Sequence, residues 1–158
     1  MLGPNALEQY ILSKGAEANL LAVEVETPTV DAAARAVGTS PEKIVKSLIF
    51  IAAEEPFLVI TAGKQRVPLD VLASEIGIAS QSIRLANPQE VAAATGYTVG
   101  AVPPFGHKQR LASYMDAALL ELEQVYAGGG AADHLLKVSP REILRLSGAQ
   151  VINLQIGE

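Results

Sequence analysis

Apolar and polar residues change places in short blocks along this chain, which predicts many small elements rather than a few long ones. Leu7, Tyr10 and Ile11 recur at helical spacing between Gly3-Pro4 and Gly15, so a first helix opens on proline and stops at glycine. Leu20 to Glu26 ends in alternation (Val23, Glu24, Val25, Glu26) and reads as a strand with one wet face. Asp31 caps an alanine-rich helix ending at Gly38, and Ser40-Pro41 starts a further short turn. Ser47-Leu48-Ile49-Phe50-Ile51-Ala52 and Phe57-Leu58-Val59-Ile60-Thr61-Ala62 are almost wholly apolar and are separated by Glu54-Glu55-Pro56. They predict a central hairpin buried on both faces.

Helices are expected from Pro68 to Gly77, with Asp70 at the start, and from Asn87-Pro88 to Gly96. Leu111 to Met115 reads as a strand, followed by a short helix capped by Asp116. Gln124 to Ala127, the flexible turn Gly128-Gly129-Gly130, and His134 to Val138 read as strand, turn and strand. Ser139-Pro140-Arg141-Glu142 is a capping box opening a last helix that ends near Gly148, before a closing strand from Val151 to Leu154. No linker divides the chain, so residues 1–158 are expected to form one domain. Hairpins mixed with irregularly placed helices favour an α+β class over a doubly wound sheet.

Residues 96–106 break the pattern. Three glycines and two prolines exclude regular structure, yet Tyr97, Val99, Val102 and Phe105 exclude a solvated linker. A stiff, partly buried loop follows, and rigid loops on a packed scaffold often carry function.

Composition narrows the chemistry. At 49% hydrophobic and 18% charged, the chain can bury a core. The absence of cysteine excludes disulfides, thiolate zinc, iron–sulfur clusters and a cysteine nucleophile, and two histidines are too few for a histidine-only metal site. Neither a metal nor a cofactor is therefore expected. The net charge of −5 gives no basic arm, so DNA is not an expected partner, and contact with any nucleic acid must use a local patch. No apolar run reaches the roughly 20 residues of a membrane span, and the first residues lack a signal-peptide layout, so a cytoplasmic protein is expected.

Lys46 stands where a short helix meets an apolar strand. It is either a lysine snorkelling at a strand edge or a fixed cation for a phosphate, hydroxyl or carbonyl oxygen. The 96–106 loop is either a structural turn or a source of backbone N–H groups for an oxyanion. His107, Lys108 and Arg110, with Lys64 and Arg66, form either a small basic patch or a solvated surface. His107 is a candidate general base. His134, inside a strand, reads as structural. No G-x-S-x-G, paired carboxylates, H-E-x-x-H or EF-hand pattern occurs.

Four stretches carry a resemblance: Thr29 to Ala34, Ile44 to Phe50, Gly96 to Gly106, and Pro140 to Leu154. In that order they resemble the YbaK/prolyl-tRNA synthetase-associated family, the free-standing relatives of the editing domain inserted in bacterial prolyl-tRNA synthetase. The resemblance implies an α+β domain with a mixed, barrel-like sheet flanked by helices. It implies hydrolysis of the ester joining a wrong amino acid, such as alanine or cysteine on tRNA-Pro, to the tRNA 3′ end. It assigns catalytic roles to Lys46 and Gly100, and substrate binding to Gly96, Ala101, Val102, Pro103, Pro104, Phe105, Gly106 and His107. Lys64, Arg66, Lys108 and Arg110 would guide the tRNA, with a synthetase as partner. A non-catalytic module binding a nucleotide, an aminoacylated end or a synthetase is the alternative.

Overall fold

The computed structural model describes residues 1–155 of the chain. Its α-helices are α1 (Pro4–Lys14), α2 (Val30–Val37), α3 (Leu69–Ile76), α4 (Pro88–Thr95) and α5 (Pro140–Ser147). Its strands are β1 (Ala18–Ala22), β2 (Val45–Ala52), β3 (Glu55–Ala62), β4 (Ile83–Leu85), β5 (Ala112–Asp116), β6 (Val125–Gly128), β7 (His134–Val138) and β8 (Gln150–Ile152). Each α-helix stops at a glycine in the left-handed region, as the glycine spacing predicts.

The expected central hairpin is β2–β3, paired from Val45↔Ala62 to Ala52↔Glu55. Its turn is Ala53-Glu54, both at positive φ, the requirement of a two-residue type I′ connection. Glu55 and Pro56, expected in the break, therefore already belong to β3. β4 adds antiparallel to β2, while β5 and then β8 add in parallel on the β3 side. This gives a mixed five-stranded sheet in the order β4-β2-β3-β5-β8. A second sheet, β1-β7-β6, is antiparallel throughout. A single parallel bridge, Ile44↔Tyr126, joins the two. The expected α+β class with a mixed sheet and flanking helices is present; the two sheets meet at this seam and do not close into a barrel.

Strand alternation sorts the hairpin's side chains into two cores, which is why its runs are apolar throughout. Ile49, Ile51, Leu58 and Ile60 face a core completed by Leu7 and Ile11 of α1, Val91 of α4, Ile143 of α5 and Leu136 of the second sheet. Phe50, Phe57 and Val59 face a smaller core under Leu72 of α3 and Leu154. Each fully buried side chain of this size stabilises the fold by about 1.5–3 kcal/mol.

Several local expectations are corrected. The first strand is Ala18–Ala22, not Leu20 to Glu26. The alternating segment bends away after Ala22 and leaves Val25 exposed. Thr29, not Asp31, caps α2 by accepting from Ala32 N–H; Asp31 sits in the first turn and pairs with Lys64. Asp70 makes no capping bond, whereas Asp116 accepts from Ala118 N–H as expected. β4 has too few residues to show a period and was not expected.

The capping box of α5 is half formed. Ser139 accepts from Glu142 N–H, but the Glu142 carboxylate turns elsewhere. It accepts from Arg145 at 2.6 and 2.8 Å and from Glu17 N–H at 2.7 Å, tying α5 to the start of β1. The Arg145 bonds hold its pKa at about 2. An acid whose pKa falls on folding stabilises the fold above its unfolded value, and that contribution is lost as pH drops towards 2. Wild-type urea midpoints should therefore fall between about pH 4 and pH 2. Glu142→Gln should be less stable at pH 7 and show a shallower fall. A parallel decline in both proteins would remove Glu142 from this role.

Candidate active site

A cavity of about 260 Å³ opens where the two sheets diverge. One wall is the first half of β2, including Lys46 and Ser47. The others come from the segment leading into α2 (Thr27 to Val30), the end of β4, the Val99–Gly100 turn, and the facing ends of β6 and β7. The interior is mostly apolar, with Val45, Ile49, Val91 and Leu135 among its walls.

The cavity exists because one edge of β2 is left unpaired. β4 covers that edge only at Phe50–Ala52, and the bridge to β6 touches only Ile44. Ile49 C=O accepts from Ala86 N–H on this edge. By strand alternation, the N–H and C=O of Ser47, two residues earlier, point the same way, with no strand among the described residues to meet them. The Ser47 hydroxyl is also buried without a partner among the described residues. Across the hairpin, Thr61 stands opposite Lys46; its buried hydroxyl also lacks a partner among the described residues, but it does not line the cavity. Lys46 itself is exposed and makes no ion pair among the described residues. Buried polar groups normally find partners, so this wall has hydrogen-bonding capacity to offer a ligand.

The loop expected to be stiff is held from several sides. Thr95 Oγ1 accepts from Tyr97 N–H at 3.0 Å and donates to Val91 C=O at 2.8 Å. Ala101 N–H closes a turn on Thr98 C=O at 3.0 Å. Gly100, at φ +87°, occupies the third position of that turn, where a type II geometry calls for glycine. Ala101 C=O then accepts from Gly130 N–H, and Phe105 stacks on Tyr10 with centroids 5.5 Å apart.

Of Gly128-Gly129-Gly130, expected as a flexible turn, Gly128 already belongs to β6. A Cβ at Gly128 would run into Val102 C=O, and one at Gly129 would lie 2.5 Å from the His134 backbone. Gly128 lets β6 approach the loop backbone, and Gly129 lets the hairpin pass close to the His134 backbone.

This packing separates the candidate residues. Lys46, Gly100 and Val102 line one cavity. Ala101 is buried behind the turn, and Gly96 is the stop of α4, packed under Leu2 and Lys108. Pro103 is buried, while Pro104, Phe105, Gly106 and His107 face or border a different recess, together with Lys108 and Arg110. His107 Nε2 donates to Pro103 C=O at 2.7 Å, and burial lowers its pKa. It does not line the Lys46 cavity. The four basic residues do not form one patch: Lys64 is paired with Asp31 at 2.9 Å, Arg66 borders a third recess near Leu154, and only Lys108 and Arg110 share a surface.

The cavity also holds residues that the sequence did not single out as chemical. His134, expected to be structural, lines it. The Asp133 carboxylate lies 2.8 Å from His134 Nδ1, so Nδ1 carries the donated proton and Nε2 is the free nitrogen. Thr27 and Thr29 stand on the opposite rim. Among the described residues no cluster of acids and histidines could hold a metal, and no helix is long and apolar enough to cross a membrane.

A family model described as the aminoacyl-tRNA editing domain matches residues 24–146, which include every wall of this cavity. The chain belongs to the aminoacyl-tRNA editing domain family. Among its relatives, the uncharacterized protein YwhH of Bacillus subtilis (strain 168) is 28% identical over 129 residues, covering 81% of this chain and 80% of that protein. The multifunctional Ser/Thr-tRNA deacylase ProXp-y of Escherichia coli (strain K12) is 32% identical over 99 residues, 62% of this chain and 58% of its own. A crystal structure described as "a putative trans-editing enzyme for prolyl tRNA synthetase" superposes with a TM-score of 0.89 at 34% identity, covering 98% and 97% of the two chains.

Within this editing domain, Gly100 gives a clean probe of the turn. A Cβ there meets nothing within 4 Å, so the objection to a side chain is the positive φ and the space it would fill, not a clash with the core. Gly100→Val should cost about 1–2 kcal/mol of stability from the left-handed backbone. Because Gly100 lines the cavity that Lys46 lines, the variant is expected to lose turnover as well. Normal turnover by a folded Gly100→Val protein would remove this turn from the site.

Proposed function

We propose that this editing domain is a trans-acting aminoacyl-tRNA deacylase, hydrolysing the ester of a tRNA that carries a small wrong amino acid, with alanine or cysteine on tRNA-Pro as the preferred case. The observation that carries the reading is the convergence of Lys46, the Gly100 turn and the unpaired Ser47 edge on one small cavity. The near full-length match to a free-standing trans-editing structure supports action in trans.

The chemistry asks little of the protein beyond placement. An aminoacyl ester is already activated, so positioning and polarisation of its carbonyl can suffice without a protein nucleophile. In this reading Lys46 holds the terminal ribose or phosphate. The backbone of the turn and the free Ser47 N–H are the donors available to the acyl carbonyl. His134, with Nδ1 anchored on Asp133, has Nε2 free to order a water. The apolar walls, Val45, Ile49, Val91 and Leu135, suit a short side chain. Such editing answers a limit of synthetase pockets, which reject a neighbouring small side chain by only about 1–3 kcal/mol per methylene.

A second reading of the acyl group rests on the Ser47 hydroxyl. A buried hydroxyl without a partner favours an acyl side chain that can bond it, as serine or threonine would. The test is a deacylation panel using tRNA-Pro charged with alanine, cysteine, serine or proline and tRNA-Thr charged with serine. Release of one small amino acid with proline spared supports the deacylase and names its substrate. Binding of charged tRNA without release would instead support a non-catalytic module.

A further inference from the structure

We propose that the recess between the C-terminal end of α1, the segment after the 96–106 loop and the end of α5 is an RNA phosphate-binding site. The proposal rests on the deacylase reading for its choice of ligand, and it assigns the residues that hold the acceptor strand outside the cavity.

The recess measures about 420 Å³ and is lined by Lys14, Lys108, Arg110 and Arg145, with no carboxylate among its lining residues. The whole chain has 12 lysines and arginines against 17 acids, so three unpaired cations beside the Arg145–Glu142 pair depart from the overall composition. Arg145 is already engaged by Glu142. Lys14, Lys108 and Arg110 are in no ion pair among the described residues. Lys14 Nζ lies 5.9 Å above the centre of the Tyr10 ring, which steers the ammonium at the rim. Arg110 reaches over Gly148, its Nη2 lying 3.7 Å from where a Cβ would stand.

The form of the site favours a polymer's phosphates over a small anion. A small anion is usually held by a buried fork of donors, whereas these cations are exposed, come from three elements and surround an open recess. Contacts of that kind position a nucleic-acid backbone without reading its sequence. The loop supplies the continuity. Val99, Gly100 and Val102 border the cavity, and from Pro104 onward the same chain borders the recess. His107, donating to Pro103 C=O, braces the point where one side becomes the other. One continuous loop thus joins the cavity wall to the cationic recess.

The experiment measures binding of uncharged tRNA-Pro by anisotropy between about 50 and 300 mM salt. It compares wild type with a Lys14→Gln/Lys108→Gln/Arg110→Gln variant of matched thermal melt. Each phosphate contact contributes about 0.7–0.9 to the slope of log affinity against log salt. The variant should lose about 2 to 3 from that slope and at least tenfold in affinity at the lowest salt. Equal slopes, or no measurable binding by wild type, would overturn the proposal. A second arm follows hydrolysis of an aminoacyl-adenosine lacking the upstream phosphates. Wild type and variant should be equally active there, and a loss in the variant would contradict a role confined to phosphates. If neither protein hydrolyses any ester while the RNA slopes still differ, the deacylase reading fails and the recess stands.

Discussion

Lys46→Ala is expected to lower deacylation by about 10²–10³-fold while leaving the fold unchanged. The size follows from the proposed reaction, in which positioning and polarising groups rather than a protein nucleophile supply the rate, and one such group is typically worth that factor. The harmlessness to stability follows from the location. Lys46 is exposed, unpaired among the described residues, and stands on a strand otherwise held by its apolar neighbours. Exposed substitutions of this kind usually stay within about 0.5 kcal/mol. Single-turnover rates on mischarged tRNA, read beside a thermal melt, check both halves. Full activity in a folded Lys46→Ala protein would return this residue to a snorkelling role.

The second large effect is structural. Gly128→Val should destabilise the protein by about 3 kcal/mol or more, because the new side chain meets fixed backbone rather than a movable side chain. The obstacle is the carbonyl of Val102, on the inner side of the loop that lines the cavity. To accommodate the valine, β6 or the loop must move, so the remaining folded protein should also lose turnover. Gly128→Ala is the milder partner and should show the same two losses in smaller measure. Chemical denaturation with parallel activity assays separates them. A stable, fully active Gly128→Val protein would mean that the close approach of β6 to the loop does not shape the site.

Most elements were legible because their signals are local. Pro4, Pro88 and Pro140 open helices, glycines stop them, and two uninterrupted apolar runs can only be a strand pair buried on both faces. The loop was legible for the opposite reason, since its glycine and proline density excludes regular structure while its aromatics demand burial. Lys46 and the loop stood out by position, the resemblance assigned catalytic roles to Lys46 and Gly100, and the two line one cavity.

What the sequence concealed depends on contacts between distant segments. Nothing local says that Val102 packs on Gly128, yet that contact sends Val99 to Val102 towards the cavity and His107 to Arg110 away from it. His134 sits in an apolar strand and reads as core, but the seam between the sheets places it on the cavity wall. Ser47 looks like a neutral strand residue until the missing strand beside it is seen. The acidic total hid the recess around Lys14 and Arg110, because a net charge averages over a surface that is locally segregated.

The most direct test of the account is the rate of ester hydrolysis of alanyl-tRNA-Pro against prolyl-tRNA-Pro, in wild type and in Lys46→Ala. Rapid release of alanine, sparing of proline, and loss of the alanine reaction in the variant are expected. Equal hydrolysis of both esters, or hydrolysis indifferent to Lys46, would contradict a selective editing site built on this cavity.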